Sequence, residues 1–205
     1  MAKSGRSPKP FNYPPQYTRE YISGNPARDR IIALEKLGLE PSAVGFIFGQ
    51  LIELLPDPNA NATEFPFAAG VFFKKLNGML KVISTSTNRV NELNDSTAHA
   101  ELLALREAEE ITGSKHLDGH FLASTHELCV MCCGAAANTD VDGVIYGASH
   151  NDIRGHHSLV NGEYRPYRTS PPSFHAENFL ADSGIVVVSG FLSEEVLAAT
   201  TLSET

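Results

Sequence analysis

Two short motifs constrain this chain more than any other feature of its sequence. Residues 97–101 read Thr-Ala-His-Ala-Glu, and residues 127–133 read Glu-Leu-Cys-Val-Met-Cys-Cys. His99, Cys129 and Cys132 offer an imidazole and two thiols, which are good zinc ligands once deprotonated. A catalytic zinc ion takes three protein ligands and keeps its fourth position open. The motifs therefore predict a fold that brings two separate segments together around one metal ion.

Glu101 follows the predicted ligand His99 by two residues and has no ligand role left in this scheme. Zinc lowers the pKa of a bound water from about 15.7 to about 7, and a neighbouring carboxylate can carry the released proton to a leaving group. Residues i and i+2 do not share a helix face, so His99 and Glu101 converge only at the start of a helix. We predict that helix over 98–110, with Ser96 or Thr97 as its N-cap.

A second helix is predicted over 129–137, because Cys129 and Cys132 are one helical turn apart and share a face. The partial positive charge of a helix N-terminus favours thiolates at this position. Two helix N-termini then face one metal ion. The buried side of the first helix is expected to hold three leucines, Leu102, Leu103 and Leu105.

The same residues leave other sites open. A Cys-x-x-Cys pair can be redox-active or can form half of a closed structural zinc site. A closed site needs a fourth ligand, for which His126 is the candidate, since Cys133 adjoins Cys132 and would point elsewhere on a helix. All three cysteines of the chain fall in this motif, which leaves no separate disulfide framework.

Two other histidine patterns are interpreted as ordinary structure. Residues 175–177 repeat the letters His-Ala-Glu, but no cysteine pair follows them, and they lie in an amphipathic run over 174–182 that predicts a helix. His156 and His157 are adjacent, which suits a shared metal ion poorly.

Four stretches together resemble the cytidine/deoxycytidylate deaminase superfamily and, within it, the nucleobase branch that includes guanine deaminases. They are residues 66–71, 87–90, 98–101 and 127–132, and their order and separations fit over about residues 66–147. The pair of zinc motifs is the most specific part of the match. One residue departs from the pattern: Leu128 stands where the family usually has proline before the first cysteine.

The resemblance implies roles for individual residues. His99, Cys129 and Cys132 would bind Zn²⁺, Glu101 would shuttle protons, and the Asn88 side chain and the Ala100 backbone would hold the base. From the residues alone, Asn88 suits either a base edge or its own loop backbone. Glu163, just before Arg165-Pro166, is the nearest counterpart of a second acidic residue of guanine deaminases; a solvated loop glutamate is the alternative.

Alternation of strands and helices predicts an α/β protein, a three-layer α/β/α cytidine-deaminase-like fold with a five-stranded mixed sheet. One domain is expected over residues 28–205, preceded by an extended proline-rich arm over 1–27. Residues 147–173 show little apolar periodicity and are interpreted as a lid or specificity wall over the zinc pocket. The predicted strands cover residues 65–73, 80–85, 121–125, 144–146 and 185–189.

The expected function is zinc-dependent hydrolytic deamination of an amino-substituted nucleobase or nucleoside, with guanine or a related purine first. A cytosine- or cytidine-type substrate is second and adenosine in transfer RNA is third. The net charge of −8 disfavours polynucleotides. A non-catalytic zinc-stabilised interaction module is the alternative of another class. A homodimer through the zinc helices, no membrane association and a cytoplasmic location are also expected.

Overall fold

The computed structural model describes residues 26–57, 62–167 and 170–200. The predicted arm lies outside these residues, except for residues 26 and 27, at which the first helix begins. In chain order the elements are α1 (Pro26–Lys36), α2 (Pro41–Glu53), β1 (Ala68–Lys74), β2 (Leu80–Thr87), α3 (Ala100–Thr112), β3 (His120–His126), α4 (Val130–Asn138), β4 (Gly143–Ala148), β5 (His157–Val160), β6 (Glu163–Pro166), α5 (Ala176–Asp182), β7 (Val186–Val188) and α6 (Ser193–Thr200).

Five strands form the main sheet in the order β2-β1-β3-β4-β7. β1 pairs antiparallel with β2 and β3, whereas β3, β4 and β7 run parallel. Parallel neighbours need a crossover connection, usually a helix, and α4 and α5 lie in those connections. The prediction of a five-stranded mixed sheet is therefore confirmed.

Helices cover both faces of the sheet. One buried cluster joins the sheet to α3, α4 and α5, and a second joins it to α1, α2 and α6. β1 lies between the two clusters, so residues 68–72 are buried without interruption. Such a continuous apolar run is expected where a strand is covered on both faces. The α/β/α layering is confirmed by this arrangement.

The parallel pair β3–β4 is closely packed at the end of β3 that leads to α4. A Cβ atom added to Gly147 would lie 2.5 Å from the carbonyl oxygen of Thr125. Only glycine therefore lets β4 approach β3 this closely. The approach holds the end of β3 in place, and the second cysteine motif follows directly.

The region predicted as a lid contains secondary structure that the prediction lacks. β5 and β6 pair as an antiparallel hairpin within residues 147–173. Ile153, Val160 and Tyr167 are buried there, but they lie too far apart in sequence to produce a periodic pattern. The hairpin is tied to the segment before β1, where the Asn161 N–H donates to the Ala62 carbonyl at 2.9 Å.

Within the described ranges, no helix combines the length and apolar character needed to cross a membrane.

Candidate active site

The helix that carries the first motif begins one residue after His99. His99 is the N-cap of α3, with extended backbone angles (φ −72°, ψ 150°). The predicted N-caps, Ser96 and Thr97, are therefore wrong. Asp95 explains the difference: its Oδ1 accepts hydrogen bonds from the N–H and the hydroxyl of Thr97, at 2.8 and 2.7 Å. This local turn holds Thr97 outside the helix.

The start of α3 decides which of its side chains face the core. Glu101 and Leu105 are buried, together with the alanines between and beyond them, Ala104 and Ala108. Leu102 and Leu103 are only half-buried, so the prediction holds for Leu105 and is wrong for the other two. Successive helical residues turn by about 100°, given 3.6 residues per turn. Placing Glu101 against the sheet therefore turns Leu102 and Leu103 aside.

The second motif meets the first from the start of α4. Cys129 is the N-cap of α4, with extended backbone angles (φ −74°, ψ 168°). Leu128, which replaces the proline usual in the family, is fully buried, so packing holds the turn that a proline ring would stiffen. Cys133 points away, as predicted, and its Sγ lies 3.7 Å from the Leu128 carbonyl oxygen.

His99, Cys129 and Cys132 present three ligand atoms at zinc-binding separations. The Sγ–Sγ distance is 3.6 Å, and His99 Nδ1 lies 3.6 Å from Cys129 Sγ and 3.7 Å from Cys132 Sγ. A tetrahedral zinc ion with bonds of about 2.3 Å to sulfur and about 2.05 Å to nitrogen has ligand separations of about 3.6–3.8 Å. The donor set therefore fits zinc in chemistry and spacing.

The two thiols differ in acidity. The contact between the two sulfur atoms is the main cause that lowers the pKa of Cys129, to about 4. The same contact and burial raise the pKa of Cys132. A zinc ion binds thiolates, so its binding releases protons. Cys132 has the proton to release.

Glu101 adjoins the ligand group without belonging to it. Its Oε1 accepts a hydrogen bond from Ser124 Oγ at 3.2 Å, and its Oε2 lies 3.6 Å from Cys132 Sγ. Burial is the main cause that raises the pKa of Glu101, followed by the charge on Cys129. A raised pKa makes this carboxylate a stronger proton acceptor than an exposed glutamate, as a proton-transferring group requires.

A fourth protein ligand is not found among the described residues. The grouping of His, Cys, Asp and Glu side chains around this point comprises the three ligands alone. The alternative ligand His126 has its Nδ1 3.0 Å from the Thr125 hydroxyl. The repeated His-Ala-Glu letters also form a helix start, with His175 as the N-cap of α5. Glu177 there accepts a hydrogen bond from the Tyr146 hydroxyl at 3.0 Å, a packing contact.

Asn88 is buried beside a residue that the sequence did not single out. Its Nδ2 donates to Oε2 of Glu64 at 2.9 Å, and Glu64 Oε1 accepts from the Glu92 N–H at 2.6 Å. Both Asn88 and Glu64 are more than nine-tenths buried. Glu64 lies far from Asn88 in sequence, so no local pattern could have paired them.

The other two predicted substrate contacts differ in position. Ala100 is the first residue of α3 and is buried, and the N–H of such a residue has no acceptor within its own helix. Glu163 begins β6 and is exposed, and its Oε2 accepts from Nη2 of Arg165 at 2.9 Å. Within the described residues, the structure thus pairs Glu163 with Arg165 on the hairpin rather than with the ligand group.

Comparison with known proteins identifies a family and several relatives to which this chain is similar. Residues 55–148 match the cytidine and deoxycytidylate deaminase zinc-binding region. The chain is 40% identical over 91 residues to the tRNA-specific adenosine deaminase of Buchnera aphidicola subsp. Schizaphis graminum, covering 44% of this chain and only 57% of that protein. It is 32% identical over 118 residues to the tRNA-specific adenosine deaminase of Rickettsia bellii, covering 56% of this chain and 78% of that protein. The solved guanine deaminase of Nitrosomonas europaea is 31% identical, with a TM-score of 0.57, covering 74% of this chain and 79% of that chain.

Proposed function

The chain belongs to the cytidine and deoxycytidylate deaminase family, and from this premise we propose that it is a zinc-dependent hydrolytic deaminase of an amino-substituted nucleobase. The spacing of His99, Cys129 and Cys132 around one point, with the Glu101 carboxylate adjoining it, carries this proposal. The three side chains would hold the zinc ion that the family uses. When bound, zinc supplies an activated water for hydrolysis.

Glu101 is proposed as the proton carrier of the reaction. Its buried carboxylate takes a proton from the attacking water and gives it to a ring nitrogen of the base. It then takes the second proton of that water and gives it to the leaving amino group, which departs as ammonia. Ser124 holds one oxygen of this carboxylate, so the other oxygen faces the metal ligands. Glu101 is only 7% exposed, and this low exposure strengthens the polar contacts that its carboxylate makes.

The proposed substrate is guanine or a related amino-purine. The likeness to the Nitrosomonas europaea guanine deaminase supports this choice, because it extends over 74% of this chain. The net charge of −8 also favours a small base over a polynucleotide. Asn88 and the backbone of Ala100 are proposed to contact the base. Glu163 remains a proposed contact that would first have to leave its ion pair with Arg165.

Deamination of adenosine in transfer RNA is a second candidate. The curated relatives at 40% and 32% identity carry this activity in their names. Residues 55–148, which match the family's zinc-binding region, contain both zinc motifs, and these motifs serve the chemical step in either case. Guanine remains first because the charge of this chain opposes binding to a phosphate backbone.

A homodimer is proposed through the apolar surface beside the zinc helices. Ile111 near the end of α3 is 57% exposed, and Val130 at the start of α4 is 48% exposed. Burying such side chains in an interface would remove apolar area from water. We further propose that residues 28–205 act as one domain and that the protein works in the cytoplasm, where its zinc-binding thiols stay reduced.

Ammonia release from a panel of bases, nucleosides and a transfer RNA substrate tests the function, with zinc-loaded wild type beside Glu101→Ala. The expected result is release from guanine that is abolished in the variant while zinc remains bound. Release only from transfer RNA would favour the second candidate, and release from cytosine or cytidine would change the substrate class. No release from any substrate by the zinc-loaded protein would support a non-catalytic zinc module.

A further inference from the structure

The registers of β1, β2 and β3 place three residues in one row across the end of the sheet. Ala68 faces Thr87 on β2, and Ala69 faces Ser124 on β3. One step further along, Phe67 faces Asn88 and His126. Both contacts are present: the Asn88 N–H donates to the Phe67 carbonyl at 3.0 Å, and the Phe67 and His126 rings meet edge to face at 4.5 Å.

This row faces the same side of the sheet as Glu101. Residues i and i+2 of a strand point to one face, and Ser124, two residues before His126, bonds to Glu101. Asn88 and His126 are separated by two inter-strand spacings, or about 10 Å. Phe67, half-buried, lies between them. The row therefore presents an aromatic ring flanked by two polar groups beside the proposed proton carrier.

The hydrogen-bond partners of His126 determine which of its nitrogens carries the proton. Thr125 Oγ1 accepts from the Ala68 N–H and donates its single proton to the Ala68 carbonyl, both at 3.1 Å. It has no second proton to give to His126 Nδ1, 3.0 Å away. His126 Nδ1 is therefore the donor in this contact. Burial lowers the pKa of His126 to about 3, so the ring is neutral and Nε2 is an unprotonated acceptor.

Nε2 of His126 is buried and has no hydrogen-bond partner among the described residues. His126 as a whole is only 3% exposed. A buried acceptor without a donor destabilises a protein, so such a group in a native site is expected to have a hydrogen-bond partner. The partner has to bring an N–H or O–H.

Glu64 determines the orientation of the Asn88 amide in the same way. A carboxylate only accepts hydrogen bonds, so Nδ2 of Asn88 is held toward Glu64 and Oδ1 faces the opposite way. The second oxygen of Glu64 is fixed by the Glu92 N–H, which prevents the pair from rotating. Asn88 thus also offers an acceptor rather than a donor.

We propose that His126 Nε2 and Asn88 Oδ1 form a pair of hydrogen-bond acceptors that selects bases carrying ring N–H groups, with Phe67 as the apolar contact between them. This inference rests on the proposed deaminase function and narrows its substrate class. Guanine has one ring N–H beside its reacting amino group, at N1, and a second ring N–H on its imidazole ring. In adenosine and cytidine the ring nitrogen beside the amino group carries no proton. It would face an acceptor of the pair without forming a hydrogen bond.

Two substitutions separate the acceptor role of His126 from its packing. His126→Asn keeps a donor near Thr125 and removes Nε2, whereas His126→Gln places a polar group near the position of Nε2 and removes the Thr125 contact. The measurement is equilibrium binding of guanine, 1-methylguanine and 9-methylguanine to zinc-loaded protein carrying Glu101→Ala, which binds without turnover. Each methyl group removes one ring N–H. Zinc content and Tm are recorded for every variant.

We expect His126→Asn to weaken guanine binding about 10-fold, as for loss of one net hydrogen bond of about 1.4 kcal/mol. We expect His126→Gln to retain most of the affinity. For one of the methylated guanines the effect of His126→Asn should disappear, because the donor is already gone. An equal loss for guanine and both methylated bases, or no loss in either variant, would overturn the proposal.

The outcome is separable from that of the proposed function. The wild type could release no ammonia although His126→Asn weakens guanine binding and this effect disappears for one methylated guanine. That result would uphold the acceptor pair and reject the deaminase. Deamination of adenosine or cytidine in preference to guanine would uphold the deaminase and reject the acceptor pair. If guanine does not bind at all to the zinc-loaded protein, the acceptor pair is rejected for the base it was argued to select.

Discussion

Ser124 Oγ donates a hydrogen bond to Oε1 of Glu101 at 3.2 Å, joining the centre of the sheet to the first turn of α3. Ser124 is 1% exposed, so the bond is shielded from water. The contact orients a carboxylate that would otherwise turn about its own bonds. The rigid strand β3 therefore determines the position of the proposed proton carrier.

Replacement of Ser124 by alanine should lower kcat more than it raises KM. Hydrogen bonds to charged groups contribute about 1.5–3 kcal/mol, so a fall of about 10- to 100-fold in kcat/KM is expected. Steady-state kinetics on the substrate found in the ammonia assay measure it. Ser124→Thr, which keeps the hydroxyl, is the control. Unchanged kinetics in Ser124→Ala would show that Glu101 is held by its packing alone.

Removal of single cysteines should separate metal binding from packing. Cys129→Ser and Cys132→Ser are expected to lose zinc on dialysis, because each leaves only two of the three ligands. Cys133→Ala is the matched control: it removes a buried thiol of the same helix that points toward Leu128. It should keep its zinc and lose about 1 kcal/mol of stability. Elemental analysis with thermal melting records both, and zinc loss in Cys133→Ala would contradict this assignment.

Glu64 and Asn88 should behave as one unit in kinetics. Glu64→Gln, Asn88→Ala and the double variant form a cycle, in which contacting residues usually show coupling of about 0.5–3 kcal/mol. We expect the double variant to be little worse in kcat/KM than Asn88→Ala, because Glu64 acts through Asn88. Asn91→Ala, which removes a hydrogen bond to the Thr63 carbonyl near the same segment, is the control. Additive losses would show that Glu64 acts independently of Asn88.

The stability of the protein should depend on His126 in acid. Burial lowers the pKa of His126 from 6.5 to about 3, so between these values the unfolded chain binds the extra proton. The contribution of the neutral His126 ring to stability is complete above pH 6.5. It is lost as the pH falls toward 3, by up to about 1.4 kcal/mol per pH unit. His150, whose pKa burial also lowers, acts in the same direction in every variant. Urea unfolding at a series of pH values between about 4.5 and 7 gives the free energy of unfolding as a function of pH. This free energy should rise less steeply with pH in His126→Asn than in wild type. Equal pH dependence in the two proteins would refute the buried neutral ring.

The sequence was informative wherever function depends on residues that are close together in the chain. The His-x-Glu and Cys-x-x-Cys spacings predicted two helix starts, because two or three residues at a helix N-terminus have only one way to converge. The alternation of apolar strands with helices predicted the five-stranded sheet for a similar reason: each element must bury its own apolar face.

The tertiary structure decided everything that depends on distant partners. Asp95, rather than a capping residue at 96 or 97, sets where α3 begins and therefore which leucines face the core. Glu64 meets Asn88 only because residues on either side of the β1–β2 hairpin return to the same end of the sheet. The register of β1 against β3 places His126 beside Phe67 rather than in the ligand group, and it leaves Nε2 of His126 without a hydrogen-bond partner among the described residues. Strand register and burial arise from the whole fold, and no local run of letters encodes them.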